Sequence, residues 1–153
     1  MIAVAVIGFA PWAEAGDATV SNSAKAPTER VAQAGFVPTW LMKATLYHGG
    51  AKGVGNRDSL GCRTVPMRTL AVDPTVIPRR TIVFIAETVG LPLPNGGKHD
   101  GYWYASDTGG AIKGKRIDLF TGEGSRSMKG AGGLNLKKIT VVKAGAFKGC
   151  PKQ

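Results

Sequence analysis

From residue 41 onward the chain is a succession of short apolar or alternating runs, each interrupted within a few residues by Gly, Pro or Asn. Residues 41–47, 69–72, 81–88, 101–106, 116–120 and 138–142 have the length and the two-residue period or β-branched content of strands. The run Thr81-Ile82-Val83-Phe84-Ile85-Ala86 is apolar on both faces, as a strand covered on both sides would be. Pro74 and Pro78 bracket residues 75–77 and predict a turn, because proline fixes φ and lacks an N–H. Residues 91–97, Leu-Pro-Leu-Pro-Asn-Gly-Gly, read as a long hairpin connection. No segment keeps a helical period. Six short strands without helices predict an all-β fold with a closed or nearly closed sheet, since an open sheet would leave two unpaired edges.

A chain of 153 residues has room for one domain of this kind. Its 22 glycines and 9 prolines follow no fixed period, so they mark turns rather than a repeat. The domain is expected to occupy residues 36–153. Residues 16–35, rich in Ala, Ser, Thr and Lys, read as a flexible linker. Residues 1–10 are almost wholly apolar and Ala13-Glu14-Ala15 has the small-x-small form of a signal-peptidase site, which predicts a signal peptide over 1–15. Its start lacks the usual Lys or Arg, so the recorded Met1 reads as an internal start that omits the true n-region. A buried first strand is the competing reading. Ten apolar residues are too few to span a bilayer, and no integral membrane segment is expected after cleavage.

Export changes the reading of the cysteines. Cys62 and Cys150 can form one bridge closing a long loop in an oxidising compartment; two unrelated thiols are the alternative. No metal site is expected, because His48 and His99 lack CxxC or HExxH spacing. The formal charge is +10, and removal of residues 1–15 takes away only Glu14, leaving +11. Such a chain seeks polyanions. The basic residues are scattered and accompany no nucleic-acid motif; an anionic cell wall is the other candidate polyanion, and charge alone does not choose between the two, since a basic face is often only a solubility device.

Two glycine patterns imitate cofactor loops. Gly109 to Lys115 has the spacing of a phosphate-binding loop but fails at Arg116, where Ser or Thr would hold magnesium, and no helix follows. Gly53-Val54-Gly55 lacks the rest of a dinucleotide fingerprint and reads as turn chemistry. No cofactor is expected.

The most informative stretch is Ala71-Val72-Asp73-Pro74-Thr75-Val76-Ile77-Pro78, then Ala105-Ser106-Asp107-Thr108-Gly109-Gly110-Ala111-Ile112-Lys113-Gly114, then Arg116-Ile117-Asp118-Leu119-Phe120. It closely resembles the three-aspartate (3D) domain, whose aspartates are placed as Asp73, Asp107 and Asp118 are here. The resemblance implies a six-stranded double-psi β-barrel and a peptidoglycan lytic transglycosylase, exported to the periplasm or elsewhere in the cell envelope. It implies glycan strands as the partner and catalytic roles for Asp118, as acid, and Asp107, as its support, with Asp73 structural. Thr45, Tyr47, Thr108, Gly109, Gly110 and Lys113 become candidates for holding the sugar. Stand-alone relatives can build the site across a dimer, so a homodimer is allowed. Residues 63–68 and 124–129 match no part of the pattern.

The residues support this chemistry independently. In a strand, Ile117 and Leu119 face one way and Asp118 the other, which puts the carboxylate on a cleft face. Apolar surroundings and a second carboxylate raise an aspartate's pKa and keep it able to donate a proton. An ordinary aspartate on a surface strand is the bland alternative. Thr45-Leu46-Tyr47-His48-Gly49 also resembles a segment of fungal endoglucanases with a similar barrel, but Gly49 stands where their base would be. Inverting hydrolysis needs an acid and a base flanking the bond. Its apparent absence favours transglycosylation over a cellulase-like reaction. A glycan-binding module without catalysis is the rival from another class.

Overall fold

In the computed structural model, residues 36–151 are described. The expected signal peptide, 1–15, and linker, 16–35, lie outside them. Six strands, β1 (Thr39–Gly49), β2 (Thr69–Val72), β3 (Thr81–Phe84), β4 (Tyr102–Asp107), β5 (Arg116–Glu123) and β6 (Lys138–Ala146), close into a barrel in the order β1-β5-β2-β4-β3-β6. The neighbours β1 and β5 run parallel, as do β2 and β4, and the other four pairs are antiparallel. The fold is therefore the all-β, six-stranded ring expected from the alternating runs.

Alternation fills its interior. Met42 and Ala44 of β1, Leu70 and Val72 of β2, Val83 of β3, Trp103 and Ala105 of β4, Ile117 and Leu119 of β5, and Ile139 and Val141 of β6 form one buried cluster. Residues between them face outward, among them Lys43, Thr45 and Tyr47 on β1 and Arg116 and Asp118 on β5. Ile82 and Phe84, the second apolar face of β3, are half-buried, and Phe84 packs on Tyr102 with ring centroids 5.2 Å apart.

Two segments depart from the sequence reading. The run expected as a strand over 81–88 leaves the sheet at Phe84, and Ala86–Thr88 forms a 3-10 turn. The cause is a buried polar cluster. Thr88 Oγ1 donates to the Ile85 carbonyl and accepts from Trp103 Nε1, while His99 stacks on Trp103. His99 Nε2 lies 2.6 Å from the Met67 carbonyl and Nδ1 accepts from Gly101 N–H, which defines a neutral tautomer; burial holds its pKa low, against the pull of the Met67 bond. The second departure is a ten-residue 3-10 segment, Ser125–Leu134, where no element was expected. Gly124 enters it at φ 69°, and only Ala131 within it is buried.

Cys62 and Cys150 are bridged, with Cα atoms 5.5 Å apart, so the loop before β2 is tied to the segment after β6. No helix of the described residues is long and apolar enough to cross a membrane.

Candidate active site

The strand order places four outward residues side by side across β4, β2, β5 and β1: Asp107, Ala71, Asp118 and Thr45. Ala71 pairs with Asp118 on one side and with Asp107 on the other. The second pairing depends on an irregularity. Trp103 and Ala105 point into the core, and simple alternation would turn Asp107 inward after them. The β2–β4 register instead shifts between Leu70 and Ala71, so that Asp107 rather than Ser106 stands opposite Ala71. A one-residue slip exchanges the faces of a strand, and here it brings two carboxylates to one face with a methyl group between them.

This face is the floor of a groove of about 370 Å³, lined by Asp118, Ala71, Asp107, Tyr47, Thr108 and Gly109 among others. Asp118 is half-buried and its Oδ1 is buried without a hydrogen-bond partner. Burial is the main cause of its raised pKa; the neighbouring Thr45 hydroxyl and the Arg116 charge oppose the rise, and Asp107 adds to it. Thr45 Oγ1 itself donates to the Ile117 carbonyl at 3.1 Å.

Asp107 has the opposite character. Its Oδ2 accepts from the Tyr47 hydroxyl at 2.8 Å, and its Oδ1 accepts from the backbone N–H groups of Ser59 and Thr108 at 3.0 and 2.8 Å. Burial and then the Asp107 charge push the Tyr47 hydroxyl far above the ordinary tyrosine range, so it remains a donor. Its ring packs on Phe120 at 5.1 Å.

Asp73 stands apart from the groove. Thr75 N–H, Thr75 Oγ1 and Gly114 N–H all donate to its carboxylate, which lowers its pKa to about 2, with the Gly114 bond the largest cause. It ties the turn after β2 to the loop before β5. Gly110 is exposed over open space and Lys113 is exposed, and neither lines the groove. At Gly109 a Cβ would come within 2.9 Å of Ile112 Cγ1, so packing also demands this glycine.

One wall was not read from the sequence. Gly53, Val54, Gly55, Arg57, Asp58 and Ser59 line the groove. The Gly53–Gly55 stretch, which the sequence offers as turn chemistry, does turn, with Gly53 at φ 82°, and its turn forms that wall. Asp58 is buried; its Oδ1 accepts from Leu60 and Cys62 N–H, while its Oδ2 has no partner. The only sequence cue to this segment was the nearby Cys62, whose bridge holds the Asp58 turn. Ser59 then links the turn to β4 through Asp107 and through Oγ to the Ser106 carbonyl.

The space beside Gly49 is filled. Gly49 pairs with Glu123, and a Cβ at Gly49 would fall on the Glu123 carboxylate. Glu123 belongs to a separate cavity with Pro66, Met67, Pro92 and Leu93. Among the described residues, no group of three or more His, Cys, Asp or Glu side chains is gathered to hold a metal ion.

Similarity to solved structures is partial. LtgG, a lytic transglycosylase of Burkholderia pseudomallei, is 33% identical over 59% of this chain and 26% of its own, with TM-score 0.41. MltA from Escherichia coli, a lytic transglycosylase, is 28% identical over 60% of this chain and 28% of its own, with TM-score 0.43. E. coli MltA with bound chitohexaose gives 25% identity, 63% and 30% coverage and TM-score 0.43. This chain thus spans less than a third of each of those proteins. A search of curated proteins returns no significant match. The match to a family is direct: residues 68–143 fit the 3D domain, and this stretch contains all three aspartates, so the chain belongs to the 3D domain family.

Proposed function

We propose that this protein is a peptidoglycan lytic transglycosylase in which Asp118 protonates the leaving glycosidic oxygen between MurNAc and GlcNAc. The observation that carries the reading is the state of Asp118: a groove carboxylate with an unpartnered oxygen and a pKa raised by burial. A carboxyl group in that state keeps its proton closer to neutral pH and has a proton to give. As the C1–O4 bond breaks, the proton passes to O4. The substrate's own C6 hydroxyl then attacks C1 and returns its proton to Asp118, leaving a 1,6-anhydro-MurNAc end. No water is consumed.

Asp107 supports this division of labour because its oxygens already accept three hydrogen bonds, two of them from backbone groups. It is poorly suited to take a proton from water, and its negative charge favours the protonated form of Asp118. Gly49 itself carries no carboxylate, and the Glu123 carboxylate beside it lines a separate cavity and not the groove, which argues against an endoglucanase-like base there. Tyr47, Thr108 and Gly109 are the sugar contacts best supported by the groove lining, with Thr45 beside Asp118. The Cys62–Cys150 bridge fits work outside the cytoplasm, in the periplasm or elsewhere in the envelope.

Mass analysis of muropeptides released from purified sacculi tests the reaction class. The expected products are anhydro ends. Reducing ends would indicate hydrolysis, and a folded protein that binds sacculi without releasing fragments would be a wall-binding module.

A further inference from the structure

Lys43, Arg116 and Lys138 stand opposite one another on three neighbouring strands, Lys43 pairing with Arg116 of β5 on one side and with Lys138 of β6 on the other. Like charges directly opposite one another destabilise a sheet. None of the three forms an ion pair among the described residues, where Arg68–Asp100 is the pair between permanently charged groups. Lys115 and Lys137 are exposed immediately beside the row. Of the nearby acids, Asp73 already accepts from Thr75 and Gly114, and Glu87 accepts from the Thr140 N–H, two residues along β6 from Lys138. The fold therefore carries a cationic row that its own packing does not call for.

The position of the row gives it meaning. Lys43 lies two residues before Thr45 and Arg116 two before Asp118, so the row is the next outward rung of the same sheet face. Two strand residues correspond to roughly 7 Å. The Arg116 charge reaches far enough to act on the ionisation of Asp118. An anionic group carried by the chain that occupies the groove would meet this row close to the bond being cut.

We propose that the Lys43–Arg116–Lys138 row is a subsite for the carboxylates of peptide substituents on the glycan strand, so that peptide-bearing strands are preferred to bare ones. The proposal rests on the transglycosylase reading above. Phosphate-rich wall polymers are a separate source of negative charge and do not share this link to the scissile bond.

The test uses sacculi freed of phosphopolymers, either with their peptides kept or stripped of them by an amidase. Because removing the peptides also removes the cross-links that let sacculi pellet, the peptide-bearing sample is solubilised with an endopeptidase, and both strand types are captured on immobilised Asp118→Asn protein, so that no cutting intervenes. Peptide-bearing strands should bind ~10-fold more tightly than stripped ones, the scale of one or two partly screened charge contacts. Adding Lys43→Gln and Lys138→Gln should bring the ratio towards one. The charge-matched pair Lys98→Gln and Lys148→Gln, away from the row, should leave it in place. Equal binding of the two strand types at the outset would overturn the proposal. So would a ratio that survives loss of Lys43 and Lys138, or one that collapses equally with the distant pair. Melting curves check folding, and loss of the like-charge opposition should raise rather than lower the melting temperature. Release of anhydro ends by protein with Asp118 intact is scored separately. Absence of ends from both strand types defeats the transglycosylase reading, while the binding ratio still decides the fate of the row.

Discussion

Asp73, in the turn just after β2, and Asp118, on the adjacent strand β5, belong to one barrel, and their surroundings drive them in opposite directions. Three donors hold the Asp73 carboxylate and bring its pKa down to about 2. Asp118 has a buried oxygen with no donor and a pKa raised by burial. The difference separates a carboxylate that fastens two loops from one that is left available. An unmet hydrogen bond costs stability, and such a cost persists at sites where the group has other work.

Substitution of each residue by the isosteric amide should exchange the consequences. Asp118→Asn should reduce release of anhydro ends by at least roughly 10²-fold, the lower range for loss of a general acid, with folding preserved by circular dichroism. Wild-type turnover by the folded variant would remove Asp118 from the mechanism. Opening the Cys62–Cys150 bridge by Cys62→Ser should cost about 4 kcal/mol in a urea titration, the scale for a loop of this length, and should loosen the Asp58 turn that touches Asp107. A loss of stability without any loss of glycan binding would show that the turn keeps its shape unaided. Asp73→Asn should lower the melting temperature by several degrees while the activity of each folded molecule survives.

The smallest effect is a dependence on pH. Asp73 binds its proton more weakly in the folded than in the unfolded state, so its contribution is present above 3.8 and lost as pH falls towards about 2. Asp118 has the opposite sign. Ionisation is harder in the folded barrel, so stability is lost as pH rises above 3.8 through the raised folded-state value. Asp118→Asn should therefore melt a few degrees higher than wild type at neutral pH and show no advantage below pH 3.8. Parallel melting curves across the whole pH range would sink this account of Asp118.

The strands were legible because one face of each is buried: the alternation at 41–47 and 116–120 returns in β1 and β5 almost residue for residue. The facing of Asp118 followed from the same period. What sequence could not carry was register. The shift that turns Asp107 outward arises between β2 and β4, and no local pattern in Ala105-Ser106-Asp107 announces it. The Asp58 wall was hidden for a similar reason, since a loop held by a distant cysteine has no period to read. Ser125–Leu134 carries only a short apolar stripe, Met128, Ala131 and Leu134, whose spacing of three suits a 3-10 helix and matches neither the strand alternation nor a sustained α-helical period, so it was not read.

The closed ring has a consequence for the order of events as the chain is made. β1, first in sequence, pairs only with β5 and β6, and the Thr45 hydroxyl finds its acceptor 72 residues downstream. Contacts so far apart in sequence form late, because the intervening loop must close before they reward the chain. Thr45 cannot face Asp118 until β5 has been synthesised, nor can the ring shut before β6. The proposed active site is thus complete only when translation of the domain is nearly over, and a chain interrupted after β5 carries the aspartates without the closed ring.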